Sequence, residues 1–113
     1  MSKINLRVDI TPEKAFHTIK RRQTADLVHE EFFDLGEGKS IGTLVFEKYY
    51  MRASNRAALI VIMDNFKGET EVRVISTGSS QGIIFNFDWG AAKNFTNSIK
   101  DILQDYIIEY TEY

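Results

Sequence analysis

Hydrophobic and polar residues alternate at the start of the chain, where Ile4, Leu6 and Val8 are separated by Asn5, Arg7 and Asp9. Successive strand side chains point to opposite faces, so this spacing predicts a strand buried on one side. Thr11-Pro12 then supplies an N-cap and a proline at the first helical position. Ala15, Phe16 and Ile19 give that helix a narrow apolar face, and Lys20, Arg21 and Arg22 suit the dipole at its C-terminal end. Val28, Phe32 and Phe33 favour a strand between Ala25 and Leu35, and Gly36 to Ser40 reads as a turn. Ile41 to Arg52 follows as a long strand.

The run from Arg56 to Asp64 is the only one that is apolar at every inner step, through Ala57, Ala58, Leu59, Ile60, Val61, Ile62 and Met63. An unbroken run predicts a central strand with both faces covered. It is far short of the roughly 20 residues a membrane-spanning helix requires. Asn65 to Gly68 turns the chain, and Glu69 to Thr77 alternates as the next strand. Gly78 to Gly82 is loop-like, and Ile83 to Phe87 is a short extended run. Asp88 is a good N-cap for a long amphipathic helix whose stripe is Ala92, Phe95, Ile99, Ile102, Leu103, Tyr106 and Tyr110. The expected architecture is one α+β domain over residues 1–113, ordered β-α-β-β-β-β-α. Its antiparallel sheet of about five strands carries the C-terminal helix across one face. This order resembles the TATA-binding-protein-like and helix-grip folds, and topology alone carries no function.

Composition narrows the field. Fourteen basic residues against sixteen acidic ones give no global positive field for a nucleic-acid backbone or an anionic membrane. Cysteine is absent, which removes disulfides, thiol chemistry and cysteine metal sites, and is compatible with a cytoplasmic location. The N-terminus shows no apolar core of signal-peptide length.

A more specific resemblance rests on Val45 to Tyr50, Ser54-Asn55-Arg56, Ile75 to Gln81, and Phe85 and Phe87 ahead of Trp89-Gly90. These motifs resemble a family of small, uncharacterised bacterial proteins, mostly from Gram-positive bacteria. The resemblance implies a bacterial origin and brings no activity, ligand or catalytic residue with it.

Candidate contacts are few. Lys48, Tyr50 and Arg52 alternate along one strand and so share a face, an arrangement that base-stacking sheets also use. An exposed sheet face carries the same residue types, and the charge balance does not favour nucleic acid. Ser79, Ser80 and Gln81 lie in a loop whose backbone N–H groups could cradle an anion. It lacks the lysine and spacing of a P-loop, and a turn satisfied by its own hydroxyls explains it more simply. Trp89 could floor a pocket for an apolar ligand between helix and sheet, although core packing is the commoner role.

His17 and His29 have no i, i+4 partner, so no metal centre is expected, and no cofactor is implied. Glu30 and Glu31 cannot share a strand face as a carboxylate pair. No serine stands in a nucleophile-elbow pattern, so no catalytic residue is assigned. The expectation is a non-enzymatic module that self-associates, most simply as a homodimer, or binds a protein through its sheet. A small apolar ligand under the C-terminal helix is the alternative. Two helices can cover one sheet face but hardly both. The open set is either Ala57, Leu59, Val61 and Met63 or Ala58, Ile60 and Ile62, joined by Phe46 with Tyr50 or by Val45 with Tyr49.

Overall fold

A computed structural model describes residues 2–50, 55–79 and 89–112. In chain order the elements are β1 (Ser2–Val8), α1 (Pro12–Arg22), β2 (Asp26–Gly36), β3 (Lys39–Tyr50), β4 (Asn55–Asp64), β5 (Thr70–Ser79), α2 (Trp89–Ile102) and β6 (Ile107–Glu112). The strands form one sheet in the order β2-β3-β4-β5-β1-β6. All of its neighbouring pairs are antiparallel.

The expected α+β class and the β2 to β5 meander are present. The four apolar residues Ala57, Leu59, Val61 and Met63 of β4 form the middle of the core, each at 1% exposure or less. Ile4, Leu6 and Val8 of β1, Leu44 and Phe46 of β3 and Val72 and Val74 of β5 surround them on the same face. Both helices pack there. Thr11 caps α1 as its spacing predicts, with Oγ1 accepting from the Lys14 N–H at 3.1 Å. Ala15, Phe16 and Ile19 are buried beneath it.

Gly42 is what lets α1 approach β3. A Cβ built on it would lie 2.7 Å from Met63 Sδ and 2.9 Å from ring carbons of both Phe16 and Phe32. Ordinary carbon contacts fall near 3.5–4.0 Å, so the site is closed to a methyl group unless a neighbour moves.

Three expectations need correction. The long helix does not reach Tyr110: it ends at Ile102, a 3-10 turn occupies Gln104–Tyr106, and the chain then becomes β6. The reason lies in β1, whose outer edge would otherwise be bare. Ile107-Ile108 and Tyr110-Thr111 are strand-favouring residues, and β6 pairs them with that edge, Tyr110 opposite Leu6 and Glu109 opposite Arg7. The Asp9 N–H donates to the Tyr106 carbonyl at 3.0 Å, locking the entry to β6. A spacing of four between Tyr106 and Tyr110 suits a helix face, yet it is also an even spacing, which a strand accepts.

The sheet among the described residues therefore has six strands rather than about five, and the order closes on a strand rather than a helix. Finally, β5 runs through Gly78 and Ser79, expected as loop, because β4 continues opposite them and offers Ala57 and Arg56 as ladder partners. The extended run Ile83 to Phe87 and the N-cap Asp88 lie outside the described residues.

Candidate functional site

With both helices on one face, the other face of the sheet is set by strand parity and register. Its middle row crosses His29 of β2, Val45 of β3, Ile60 of β4, Ile75 of β5 and Lys3 of β1. The next row toward the β4 C-terminus holds Glu31, Thr43, Ile62, Arg73 and Asn5. Beyond it come Phe33, Ile41, Asp64, Glu71 and Arg7. On the opposite side of the middle row lie Glu47, Ala58 and Thr77, then Tyr49 and Arg56. Thus Val45, Ala58, Ile60, Ile62 and Ile75 form a contiguous apolar centre, extended by Ile41 and the exposed Phe33 and Tyr49. All six aliphatic members keep partial exposure. The half-buried state is what side-by-side packing within a sheet produces when neither helix lies on top.

Charges frame that centre at both ends of the strands, and they are paired within the chain. Asp64, only 4% exposed, holds Arg73 at 2.8 Å and accepts the Phe66 N–H at 3.2 Å. Arg7 bridges Glu69 at 3.1 Å and Glu109 at 3.4 Å. At the other end Arg56 pairs with Glu47. Most of these are exposed ion pairs worth a few tenths of a kcal/mol up to about 1 kcal/mol each, and they satisfy Arg7, Arg56, Asp64 and Arg73 within the chain. Beside the apolar centre, Asn5, Arg7, Lys67, Glu69, Glu71, Glu109 and Thr111 line a cavity of about 400 Å³. Its carboxylates are engaged by Arg7, Arg73 and Lys67.

The residues singled out by sequence are not gathered here. Lys48 and Tyr50 do share a face, as their alternation requires, but it is the helix-covered one. Lys48 lies opposite buried Ala57, and the Tyr50 ring packs edge-on against Phe95 of α2 with centroids 5.8 Å apart. Burial pushes the Tyr50 phenol up. The Lys48 ammonium sits 5.3 Å from the Tyr50 ring centroid. Arg52, Ser80 and Gln81 lie outside the described residues. Ser79 is the last residue of β5, opposite Arg56, and Trp89 opens α2. The side chains of both fall outside the description.

Glu30 and Glu31 take opposite faces, Glu30 toward Lys20 of α1 at 2.8 Å and Glu31 toward His29 at 3.6 Å. Among the described residues no group of three or more histidine, cysteine or acidic side chains is placed to hold a metal ion. No helix among them is long and apolar enough to cross a membrane. The inner side of α2, where an apolar ligand was a second expectation, has Ala92, Phe95 and Ile99 packed at 3% exposure or less, and Leu103 just past its end is equally buried.

Sequence reasoning identified the apolar set Ala58, Ile60 and Ile62 as one of two candidates and named Ile75 only within a motif, without placing it on this face. The signal that could have chosen between the sets was Gly42, since a glycine inside a strand of large residues marks close approach of another element. It shares a face with Leu44 and Phe46, and so with Leu59 and Val61.

Comparison with characterised proteins and with solved structures gives no match. Residues 1–107 match the sequence profile of DUF6054, a family of unknown function, and the chain belongs to that family.

Proposed function

We propose that this protein is a non-enzymatic interaction module that self-associates through the sheet face opposite its helices. The observation that carries the reading is the apolar centre of that face, Val45, Ala58, Ile60, Ile62 and Ile75, on which neither helix packs. Monomeric proteins rarely expose contiguous apolar patches beyond a few hundred Å². Five gaps of about 4.8 Å between six strands and about eight residue steps of about 3.4 Å give the whole face, charged border included, a projected area of roughly 650 Å². Two copies laid face to face would bury roughly 1,300 Å², which clears the ~1,000 Å² that a stable interface needs. The result is a sandwich whose inner layer is an ordinary two-sheet core.

A homodimer is the simplest closed assembly of such a surface. An apolar ligand under α2 has less to stand on, because the inner side of that helix is already packed against the sheet. A cytoplasmic, bacterial setting belongs to the same proposal, resting on the cysteine-free composition and on the resemblance in sequence motifs.

Light scattering after gel filtration at low micromolar concentration tests it. The expected mass is twice the 13.0 kDa of the chain. Ile60→Lys, at the centre of the patch, should return the mass to that of a monomer while circular dichroism stays unchanged. A monomeric wild-type protein would sink the reading.

A further inference from the structure

We infer that a groove across one end of the fold receives an extended segment of a partner protein in which lysine or arginine alternates with aliphatic residues. At that end β1 passes into α1, and the β2–β3 and β4–β5 turns lie side by side. Two hollows of about 300 Å³ and 310 Å³ open there, and Thr11, Pro12 and Asn65 line both, so they adjoin as one groove. Its walls are fixed before any partner arrives. The Asn65 side chain accepts the Ser40 N–H at 3.0 Å and donates to the Gly38 carbonyl at 2.8 Å, tying the two turns together. A groove held this way requires little ordering on binding, which is where much affinity is otherwise lost.

Apolar surface and negative charge are both present in it. Val8 and Pro12 are buried, Phe32 and Ile10 are half-buried, and Ile108 stands at the edge, 53% exposed. Asp9, Glu13, Asp34 and Glu69 line the groove against one cation, Lys39, whose ammonium donates to the Asn65 carbonyl at 3.3 Å. Four carboxylates against one ammonium give the groove a charge of -3, more than the -2 of the entire chain. The negative field is therefore local. Asp9, Glu13 and Asp34 are exposed, and none is in an ion pair with a described residue. On the sheet face, by contrast, Arg7, Arg56, Asp64 and Arg73 are satisfied within the chain.

The N-terminus of α1 borders the groove, yet it offers an anion little. Pro12 has no N–H, Thr11 takes the Lys14 and Ala15 N–H groups, and Glu13 sets a carboxylate beside them. A cationic ligand fits instead. An extended segment sends alternate side chains to opposite sides, so its aliphatic residues can fill the hollows on either side of Pro12. Long cationic side chains reach the carboxylates at the rim, their stems lying over apolar surface. The groove lies beyond the strand ends, off the sheet face, and the inference does not depend on self-association.

Fluorescence anisotropy with a short labelled peptide of alternating lysine and leucine, at low salt, tests it. Wild-type protein should bind the peptide saturably, and Asp9→Asn and Glu13→Gln should each weaken the affinity about 2- to 5-fold, the range of exposed ion pairs. Asp26→Asn with Asp101→Asn removes two carboxylates that are as exposed and as unpaired but lie off the groove, and should leave the affinity nearly unchanged. A peptide with serine in place of leucine should bind more weakly. No saturable binding, an equal loss in the control pair, or equal affinity for the serine peptide overturns the inference. So does a wild-type mass beyond the dimer that falls with Arg21→Gln and Arg22→Gln, since the basic end of α1 on another copy would then be the occupant.

Discussion

Replacing Gly42 by alanine is the smallest change that probes how α1 is seated, and its cost follows from three distances. The added methyl would meet Met63 Sδ at 2.7 Å and the rings of Phe16 and Phe32 at 2.9 Å. Each approach is inside the ordinary 3.5–4.0 Å contact by roughly 1 Å, on the repulsive side of the well. Met63 and Phe16 are buried at 0% and 4% exposure, so neither can swing into water. Phe32, half-buried on the edge strand, is the neighbour able to yield. Overpacking of a tight core costs about 1–3 kcal/mol, and replacing a glycine inside a strand returns roughly 0.5–1 kcal/mol. The net is a loss of about 1–2 kcal/mol. With a urea slope of about 1–3 kcal/mol per molar, the unfolding midpoint should fall by roughly 1 M. In a Phe32→Ala background the same change should cost less, because one of the three clashes is gone, and a cycle of the four proteins measures that coupling. A midpoint equal to or above wild type would show that α1 is not held this close to β3.

Two further predictions concern α2 and β6. Ile99→Ala removes a fully buried side chain from the inner stripe of α2 and should cost about 2–5 kcal/mol by urea unfolding; an unchanged midpoint would remove the stripe from the core. Tyr110 donates its phenol proton to Glu112, and this bond, together with partial burial and the nearby carboxylate charge, pushes the phenol up to about 12. A pKa raised in the folded state means that its stabilising effect is complete below about pH 10 and is lost as pH rises through about 12. Following phenolate absorbance in alkali, Glu112→Ala should bring one tyrosine back toward its ordinary range; an unaltered titration would rule out Glu112 as the cause.

Much of this fold is legible in residue order, and the parts that are not share a physical reason. The alternation of β1, the Thr11 cap and the doubly apolar β4 are local patterns, each enforced by backbone geometry within a few residues. The end of α2 is different. Ile102 and Leu103 continue an apolar helical stripe, and only the bare edge of β1 on the far side of the fold draws the next residues into a strand. The face taken by Lys48 and Tyr50 is likewise invisible locally. Alternation shows that they point the same way, but α1 and α2 decide which way is inward, through the space left at Gly42 and the packing of Phe95 on Tyr50. Ser79 shows the same thing on a smaller scale, since a serine-rich stretch reads as loop until an unpaired partner strand is known to lie beside it.

The placement of β6 also bears on how two copies can meet. By covering β1 it leaves β2 and the outer side of β6 as the sheet's edges. Edges are ready templates for another strand, and proteins blunt them with charge and bulges. β2 has both. Asp26, Glu30, Glu31 and Asp34 are spread along it, so two antiparallel copies would bring carboxylates together. The register also slips between Leu27 and His29 and again between Asp34 and Gly36. The residues left over at those slips, Val28 and Leu35, are exposed at 55% and 57%, apolar yet carried where the ladder is broken. Joining along β2 would therefore meet like charge and irregular backbone. The centre of the broad face, Val45, Ala58, Ile60, Ile62 and Ile75, has neither obstacle, since it carries no charge and its ladders run without a register shift. A face-to-face pair also closes on itself, whereas edge addition can continue strand upon strand into a fibre. For the self-association proposed above, the features that make β2 a poor template favour the sheet face carrying Ile60 over that edge.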